Sequence, residues 1–323
     1  MCAQRLNEPP IMGATRMSII NRHLSEANAS RAKSELAFLL GYLDSPRFRG
    51  ELAIEFRGPS ELSVYDRGFR LARVRFVADG SYRVRTHARF IQGTPLADER
   101  LYPRNIDPRA YATFQVGSDR VHRLLQSDHI AAMRTRIKEI PRHEEVGVSH
   151  VVASDTSVGT DVVVIDREVG DSAPELRGQR LDLVALQEVD SGRYRFLAVE
   201  VKLGNNPELD IVWCERRGER HAVEQSLGYR DQIDRYFDDY AACYRVNIAQ
   251  KIELGLLRNG WTTPPAIVRG AEALLVVVGY GGIARPLLDV IQRRHPDVKV
   301  RVFGYGLQSE DGQITGLRRP SAG

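Results

Sequence analysis

Apolar positions along this chain change their period several times, and each change marks a different kind of element. From about Asn21 to Leu43 the leucines Leu36, Leu39, Leu40 and Leu43 recur at spacings of three and four, which predicts a helix closed by Ser45-Pro46. Over residues 50–116 short β-like runs, such as Glu51–Phe56 and Glu61–Tyr65, alternate with Gly, Pro and Asp turns. The clearest piece is Phe69–Val77, then Ala78-Asp79-Gly80, then Ser81–Ile91. A two-residue Asp-Gly turn sets Arg75 opposite Val84. A three-residue loop ending in Gly80 sets Val74 opposite Val84 and Phe76 opposite Tyr82, and the matched apolar partners favour this register. It gathers Arg73, Arg75, Arg83, Arg85, His87 and Arg89 on the other face.

From Ser118 the period is helical again. Val121, Leu124, Leu125, Ile130, Met133, Ile137 and Ile140 predict one or two helices ending before Pro141, with a further helix starting near His143. Then come a strand at Asp161–Asp166 and two strands, Arg180–Gln187 and Arg193–Leu203, joined at Asp190-Ser191-Gly192. A helix over Glu219–Tyr240, a strand at Ala273–Val278, a helix at Arg285–Arg294 and a strand at Val298–Phe303 complete the series. The alternation predicts an α/β fold with a mixed central sheet flanked by helices. Residues 1–20 and the stretch from Ser309 onward carry no comparable pattern.

Composition changes this picture little. A hydrophobic fraction of 42% with 27% charged residues suits a chain that buries a real core. The three cysteines, Cys2, Cys214 and Cys243, form no CxxC pair, which argues against a disulfide framework or a thiolate zinc site and for a reduced, cytoplasmic setting. No apolar run is long enough to span a bilayer, and the N-terminus carries no signal-like segment, so no membrane partner is expected. Charge matters more in its distribution than in its sum. Of the net +4, residues 1–118 hold +6, which suggests a polyanion as partner for the N-terminal part.

The chemistry sits on the two central strands. Leu181-Asp182-Leu183-Val184-Ala185-Leu186 sets a carboxylate inside an apolar strand. Phe196-Leu197-Ala198-Val199-Glu200-Val201-Lys202-Leu203 sets a carboxylate and a lysine two residues apart, so both point to one face of the sheet. Burying such charges is costly without partners. One remedy is a salt bridge from Lys202 to Glu200 or Asp182, with no catalytic task. The other is a divalent cation shared by Asp182 and Glu200, for which hard oxygen ligands favour Mg²⁺ or Mn²⁺. Such an ion stabilises charge developing on a phosphodiester and activates water. On the following helix Gln225 and Tyr229 are four apart and share a face.

The run RGQRLDLVAL, FLAVEVKLG, AVEQSLGYRDQI resembles the PD-(D/E)xK nuclease superfamily, particularly its RecB-like and NucS-like endonuclease branches with a QxxxY helix. The resemblance covers residues 144–305, about half the chain. It implies a restriction-endonuclease-like core at 118–308, preceded by a leader and helix at 1–48 and a small β-rich N-terminal domain at 49–117, and followed by a tail at 309–323. It also implies that Asp182 and Glu200 bind the metal, that Lys202 assists the water, and that Gln225 and Tyr229 contact DNA or support the site. The backbone carbonyl of Val201 is a further implied metal ligand. Members of this superfamily carry one more acid upstream. Glu145, with Val148, Val151 and Val152 at +3, +6 and +7, fits better than Glu144, and Glu139 stays open. No proline precedes Asp182, a position that varies in the superfamily.

The resemblance therefore implies a metal-dependent deoxyribonuclease, more an endonuclease than an exonuclease, in DNA repair or defence against foreign DNA, with a homodimer as one possible assembly. The alternative is a nucleic-acid-binding or regulatory protein that retains the fold without the chemistry. The Arg face of the hairpin is the second functional candidate: five arginines on two strands would track a phosphate backbone without reading sequence. A solvated face balanced by acids from elsewhere is the competing account. Gly279-Tyr280-Gly281-Gly282 is read as a tight turn, and Asp231, Asp234, Asp238 and Asp239 as a solvated helix side.

Overall fold

A computed structural model describes residues 19–48, 51–91, 111–139, 162–170, 180–257, 259–279 and 284–303, with two short strand pieces at 309–310 and 313–314. Helices and two five-stranded sheets make a mixed α/β structure.

The first sheet is an antiparallel meander of β1 (Leu52–Phe56), β2 (Glu61–Asp66), β3 (Phe69–Phe76), β4 (Tyr82–His87) and β5 (Tyr111–Val116). Its tightest hairpin pairs Val74 with Val84 and Phe76 with Tyr82, as apolar matching predicts. Gly80 sits at φ +83°, a conformation that costs other residues strain, and its N–H closes the loop on the carbonyl of Val77. Leu71, Val74, Phe76, Tyr82, Val84 and Phe114 face a core shared with helices α1 (Glu26–Glu35), α2 (Ala37–Gly41), α4 (Ser118–Leu124) and α5 (Ser127–Glu139). The predicted Asn21–Leu43 helix is thus two helices, and its leucines 36, 39 and 43 do enter that core. The strand predicted to reach Ile91 ends at His87. Ala88, Phe90 and Ile91 turn inward as a one-turn helix, α3 (Ala88–Ile91), so Arg89 leaves the sheet face on which it was expected.

The second sheet has the order β10-β9-β8-β7-β6, with β6 (Val162–Val169), β7 (Leu181–Asp190), β8 (Arg193–Leu203), β9 (Ala266–Val278) and β10 (Val298–Phe303). β6, β7 and β8 are antiparallel neighbours, whereas β8, β9 and β10 run parallel, so the sheet is mixed. After β8 come a 3-10 turn (Pro207–Leu209), α6 (Ile211–Arg217), α7 (Ala222–Arg235) and α8 (Phe237–Glu253); α9 (Ala284–Arg294) joins β9 to β10.

The predicted Glu219–Tyr240 helix breaks at Tyr236 (φ −114°, ψ 34°). The new axis lets Phe237, Tyr240 and Tyr244 bring their rings within 5.7–6.3 Å of Phe196. Of the acids read as a solvated side, Asp231 is exposed, whereas two hold this bend to β9: Asp234 accepts the Ala271 N–H at 2.8 Å, and Asp238 accepts Arg269 at 2.9 Å. Cys214 and Cys243 are free and buried. Among the described residues no helix is long and apolar enough to cross a membrane.

Buried ionic groups join the two sheets. Asp166, at the bulge in β6, accepts Nε and Nη2 of Arg22 at 2.6 and 2.8 Å, Nη1 of Arg57 at 3.0 Å and the Tyr244 hydroxyl at 3.1 Å. The Arg167 N–H adds a further donor at 2.8 Å. Beside it Glu55 of β1 takes Lys251 Nζ of α8 at 2.5 Å and Arg167 Nε at 3.3 Å. The Tyr65 hydroxyl of β2 donates to Glu168 of β6 at 2.8 Å.

Candidate active site

β7 and β8 bring the sequence-selected groups together. The register pairs Leu183 with Val199, and one step further along it Asp182 stands beside Glu200. Alternation on β8 then puts Phe196, Ala198, Glu200 and Lys202 on one face. Phe196 and Ala198 pack in the core that contains Tyr229 of α7, whereas Leu197, Val199 and Val201 pack in the core on the opposite face. The acid–lysine pair therefore lies on the face covered by α7, just past the apolar layer. Gly204 ends β8 where a Cβ would collide with the carbonyl oxygen of Gly279, and its N–H donates to Val278 at 2.7 Å. This close approach at the strand end brings the chain into the Pro207 turn.

Asp182 is partly exposed, and its Oδ2 accepts the N–H of Val201 at 2.9 Å. Glu200 is 1% exposed. Its Oε1 lies 2.9 Å from Lys202 Nζ, while its Oε2 is buried with no hydrogen-bond partner among the described residues. The ammonium of Lys202 also lies 2.7 Å from Oε2 of Glu208, in the turn that follows the strand. Burial first, and then the Asp182 carboxylate, push the Glu200 carboxyl from its ordinary 4.5 up to about 8, against the pull of Lys202. Burial alone would lower the Lys202 ammonium, but Glu200, Glu208 and Asp182 together raise it.

The salt bridge foreseen as the non-catalytic account is present between Lys202 and Glu200. One ammonium faces three carboxylates, Asp182, Glu200 and Glu208. The oxygens that could meet a cation here are hard ones: the second oxygen of Glu200, the Asp182 carboxylate and the carbonyl of Val201. In a strand the C=O and N–H of one residue point to the same side, and the Val201 N–H already points at Asp182. This set fits Mg²⁺ or Mn²⁺ by charge and by ligand type. Among the described residues no group of three or more His, Cys, Asp or Glu converges tightly enough to hold a metal by itself. Glu144 and Glu145, the upstream candidates, lie outside the described residues.

The remaining predicted residues divide. Tyr229 is 1% exposed, its ring locked against the β7–β8 face, which suits support of the site. Gln225, one turn earlier, is only partly buried. Glu208 was missed. Its signal is Asn206-Pro207-Glu208 directly after the lysine strand, where the Asn206 side chain accepts the Glu208 N–H at 2.8 Å and Pro207 starts the turn.

Far from this centre in sequence, Arg73, Arg75, Arg83 and Arg85 line an open concavity of about 490 Å³ with Glu61, Tyr111 and Thr113. Register sets Arg73 opposite Arg85 and Arg75 opposite Arg83. Glu61 accepts Arg73 Nε at 2.7 Å, and Arg85 stacks 4.3 Å above the ring of Tyr111, which is 43% exposed. Arg75, Arg83 and Arg85 are exposed, and none has a carboxylate partner among the described residues. Arg89 takes no part.

No protein-family model matches the chain, and no curated protein or solved structure matches it.

Proposed function

We propose that this protein is a metal-dependent nuclease of the PD-(D/E)xK kind, acting on DNA in repair or in defence against foreign DNA. The observation that carries the reading is the Glu200 carboxylate: buried, held on one side by Lys202, beside a second acid, and with an oxygen that no group among the described residues satisfies. A buried carboxylate crowded by a second acid is expensive to keep unless a cation completes it. The mixed sheet with antiparallel β6–β7–β8, and helices on the site face, supports a restriction-endonuclease-like core.

In this reading Asp182, Glu200 and the Val201 carbonyl would hold Mg²⁺ or Mn²⁺. When bound, the ion supplies Lewis-acid stabilisation of phosphodiester charge and a more acidic water. Lys202 presents a fixed positive charge beside the scissile group, and its raised pKa keeps it protonated at neutral pH. It can hold a non-bridging phosphate oxygen or orient the attacking water through one N–H. Tyr229 packs the helix against the strands and so keeps Asp182 and Glu200 in register. Gln225, at the less buried end of that helix face, is available to substrate. The concave Arg face supplies phosphate contacts, with Arg75, Arg83 and Arg85 the exposed cations.

Incubating purified protein with plasmid, linear duplex and single-stranded DNA, with Mg²⁺, Mn²⁺ or EDTA, tests the reading. Cleavage that needs the metal and is lost in Asp182→Ala is expected. DNA binding without cleavage in any metal would replace it with the binding-protein alternative.

A further inference from the structure

Lys202 is held from two sides, and only one of them belongs to the acid–x–lysine strand. Glu200 takes the ammonium at 2.9 Å from within β8, and Glu208 takes it at 2.7 Å from the turn beyond. Glu208 is not a casual surface partner. Gly204 has no room for a side chain against Gly279, so β8 must end and the chain must turn there. Asn206 caps the turn on the Glu208 N–H, and Pro207 fixes its first φ. Leu209, fully buried, anchors the far end in the core under α9. The backbone carrying Glu208 is therefore fixed on both sides of the residue. Its side chain is 37% exposed, so its carboxylate sits where Lys202 meets solvent, whereas Glu200 lies beneath.

Resting on the nuclease reading above, we infer that Glu208 is a positioning residue that clamps Lys202. An ammonium has three N–H donors in a tetrahedral array. Ion pairs to Glu200 and Glu208 hold the ammonium between two carboxylates, which narrows the directions in which an N–H can reach a substrate oxygen or water. A lysine side chain with four rotatable bonds would otherwise spread over many rotamers, and fixing it in advance spares that entropy in the transition state. Glu208 touches neither substrate nor metal in this scheme. It acts through Lys202.

The test compares wild type with Glu208→Ala and Glu208→Gln in two readouts. In DNA cleavage with Mg²⁺, Glu208→Ala should lower kcat about tenfold with KM unchanged, the pattern of an interaction used in the transition state rather than in binding. Glu208→Gln, which keeps an acceptor at the same reach, should recover most of that loss, as mere loss of surface charge would not. The second readout needs no activity: acetylation of Lys202 by acetic anhydride, followed by mass spectrometry, with the exposed Lys33 and Lys299 as internal references. Release from the clamp should raise Lys202 labelling several-fold in Glu208→Ala and leave the reference lysines unchanged. If wild type cleaves and Glu208→Ala keeps its kcat, the inference is overturned whatever the labelling shows. If wild type cleaves no substrate, the nuclease reading falls by itself. Labelling then decides the clamp: a rise supports it, and an unchanged rate overturns it.

Discussion

Two buried ionic clusters lie on the same sheet, with β7 between their strands, and they are built on opposite principles. At the junction on β6, two carboxylates, Asp166 and Glu55, meet four cations, Arg22, Arg57, Arg167 and Lys251, and Asp166 takes five hydrogen bonds. At the site on β8, Asp182, Glu200 and Glu208 surround the Lys202 ammonium, and a Glu200 oxygen has no hydrogen-bond partner among the described residues. A buried ion cluster whose task is to join elements should saturate its acceptors, because each unsatisfied one costs stability. The junction does so. The site sets a buried acid beside a second one, which pushes the Glu200 carboxyl up, and a cation would relieve that crowding.

The largest effect expected is on activity. Asp182→Ala and Lys202→Ala should each reduce metal-dependent cleavage roughly 10³-fold or more, since a thousandfold is about 4 kcal/mol of transition-state stabilisation. Circular dichroism and the melting temperature of Asp182→Ala should stay close to wild type, because removing that acid relieves like-charge crowding on Glu200, whereas Lys202→Ala, which strips the ammonium from buried Glu200, should also lower the melting temperature. The matching change at the junction should invert this pattern. Asp166→Ala strands Arg22 and Arg57 in the interior and should cost about 3–5 kcal/mol in urea denaturation, the usual penalty for breaking a buried pair. If Asp166→Ala unfolds no more easily than Asp182→Ala, the two clusters do not differ as described.

A pH experiment sharpens the same contrast. The Glu200 carboxyl is raised from 4.5 to about 8 in the folded chain, so the folded state binds its proton more tightly than the unfolded state. Below about 4.5 the group is protonated in both states and does not oppose folding. As pH climbs towards 8 the unfolded state alone loses the proton, and stability falls. In EDTA, wild type should therefore lose stability relative to Glu200→Gln between those two values, and Mg²⁺ should restore part of it at the upper end. Equal pH dependence of the two proteins would remove the electrostatic argument for a cation.

The smallest effects belong to the concave Arg face. Arg75→Ala and Arg83→Ala should each lower the magnitude of the salt dependence of DNA binding by about 0.7–0.9, the share of one phosphate contact. Arg89→Ala should leave it unchanged, since that residue turns off the sheet in α3. A loss at Arg89 equal to that at Arg83 would mean that general charge, not the face, attracts DNA.

Much of the frame is legible in the residues, and the exceptions have physical causes. The hairpin register follows from Val74, Phe76, Tyr82 and Val84 because a shifted pairing would set arginine against valine in the core. The site strands can be read because their carboxylates interrupt otherwise apolar runs. The break at Tyr236 is not, because α8 buries Tyr240 and Tyr244 where an aliphatic stripe would have announced a new helix. β9 begins at Ala266, seven residues before its apolar run, because its first residues are fixed by pairing with Arg193–Arg195 of β8 rather than by their own pattern. The turn of Ala88–Ile91 likewise reflects tertiary packing of Phe90 and Ile91, which local strand propensity does not encode. Glu208 was hidden since its partner is set by a turn, not by a period. The junction around Asp166 joins residues separated by more than 100 positions, a distance at which sequence pattern carries no information.

The most direct test of the central claim, that the acid pair on β7 and β8 is completed by a divalent cation, is titration calorimetry of Mn²⁺ into wild type and Asp182→Ala at neutral pH. The account predicts a saturable site in wild type that the variant lacks. No binding to wild type, or the same binding to both proteins, would contradict it.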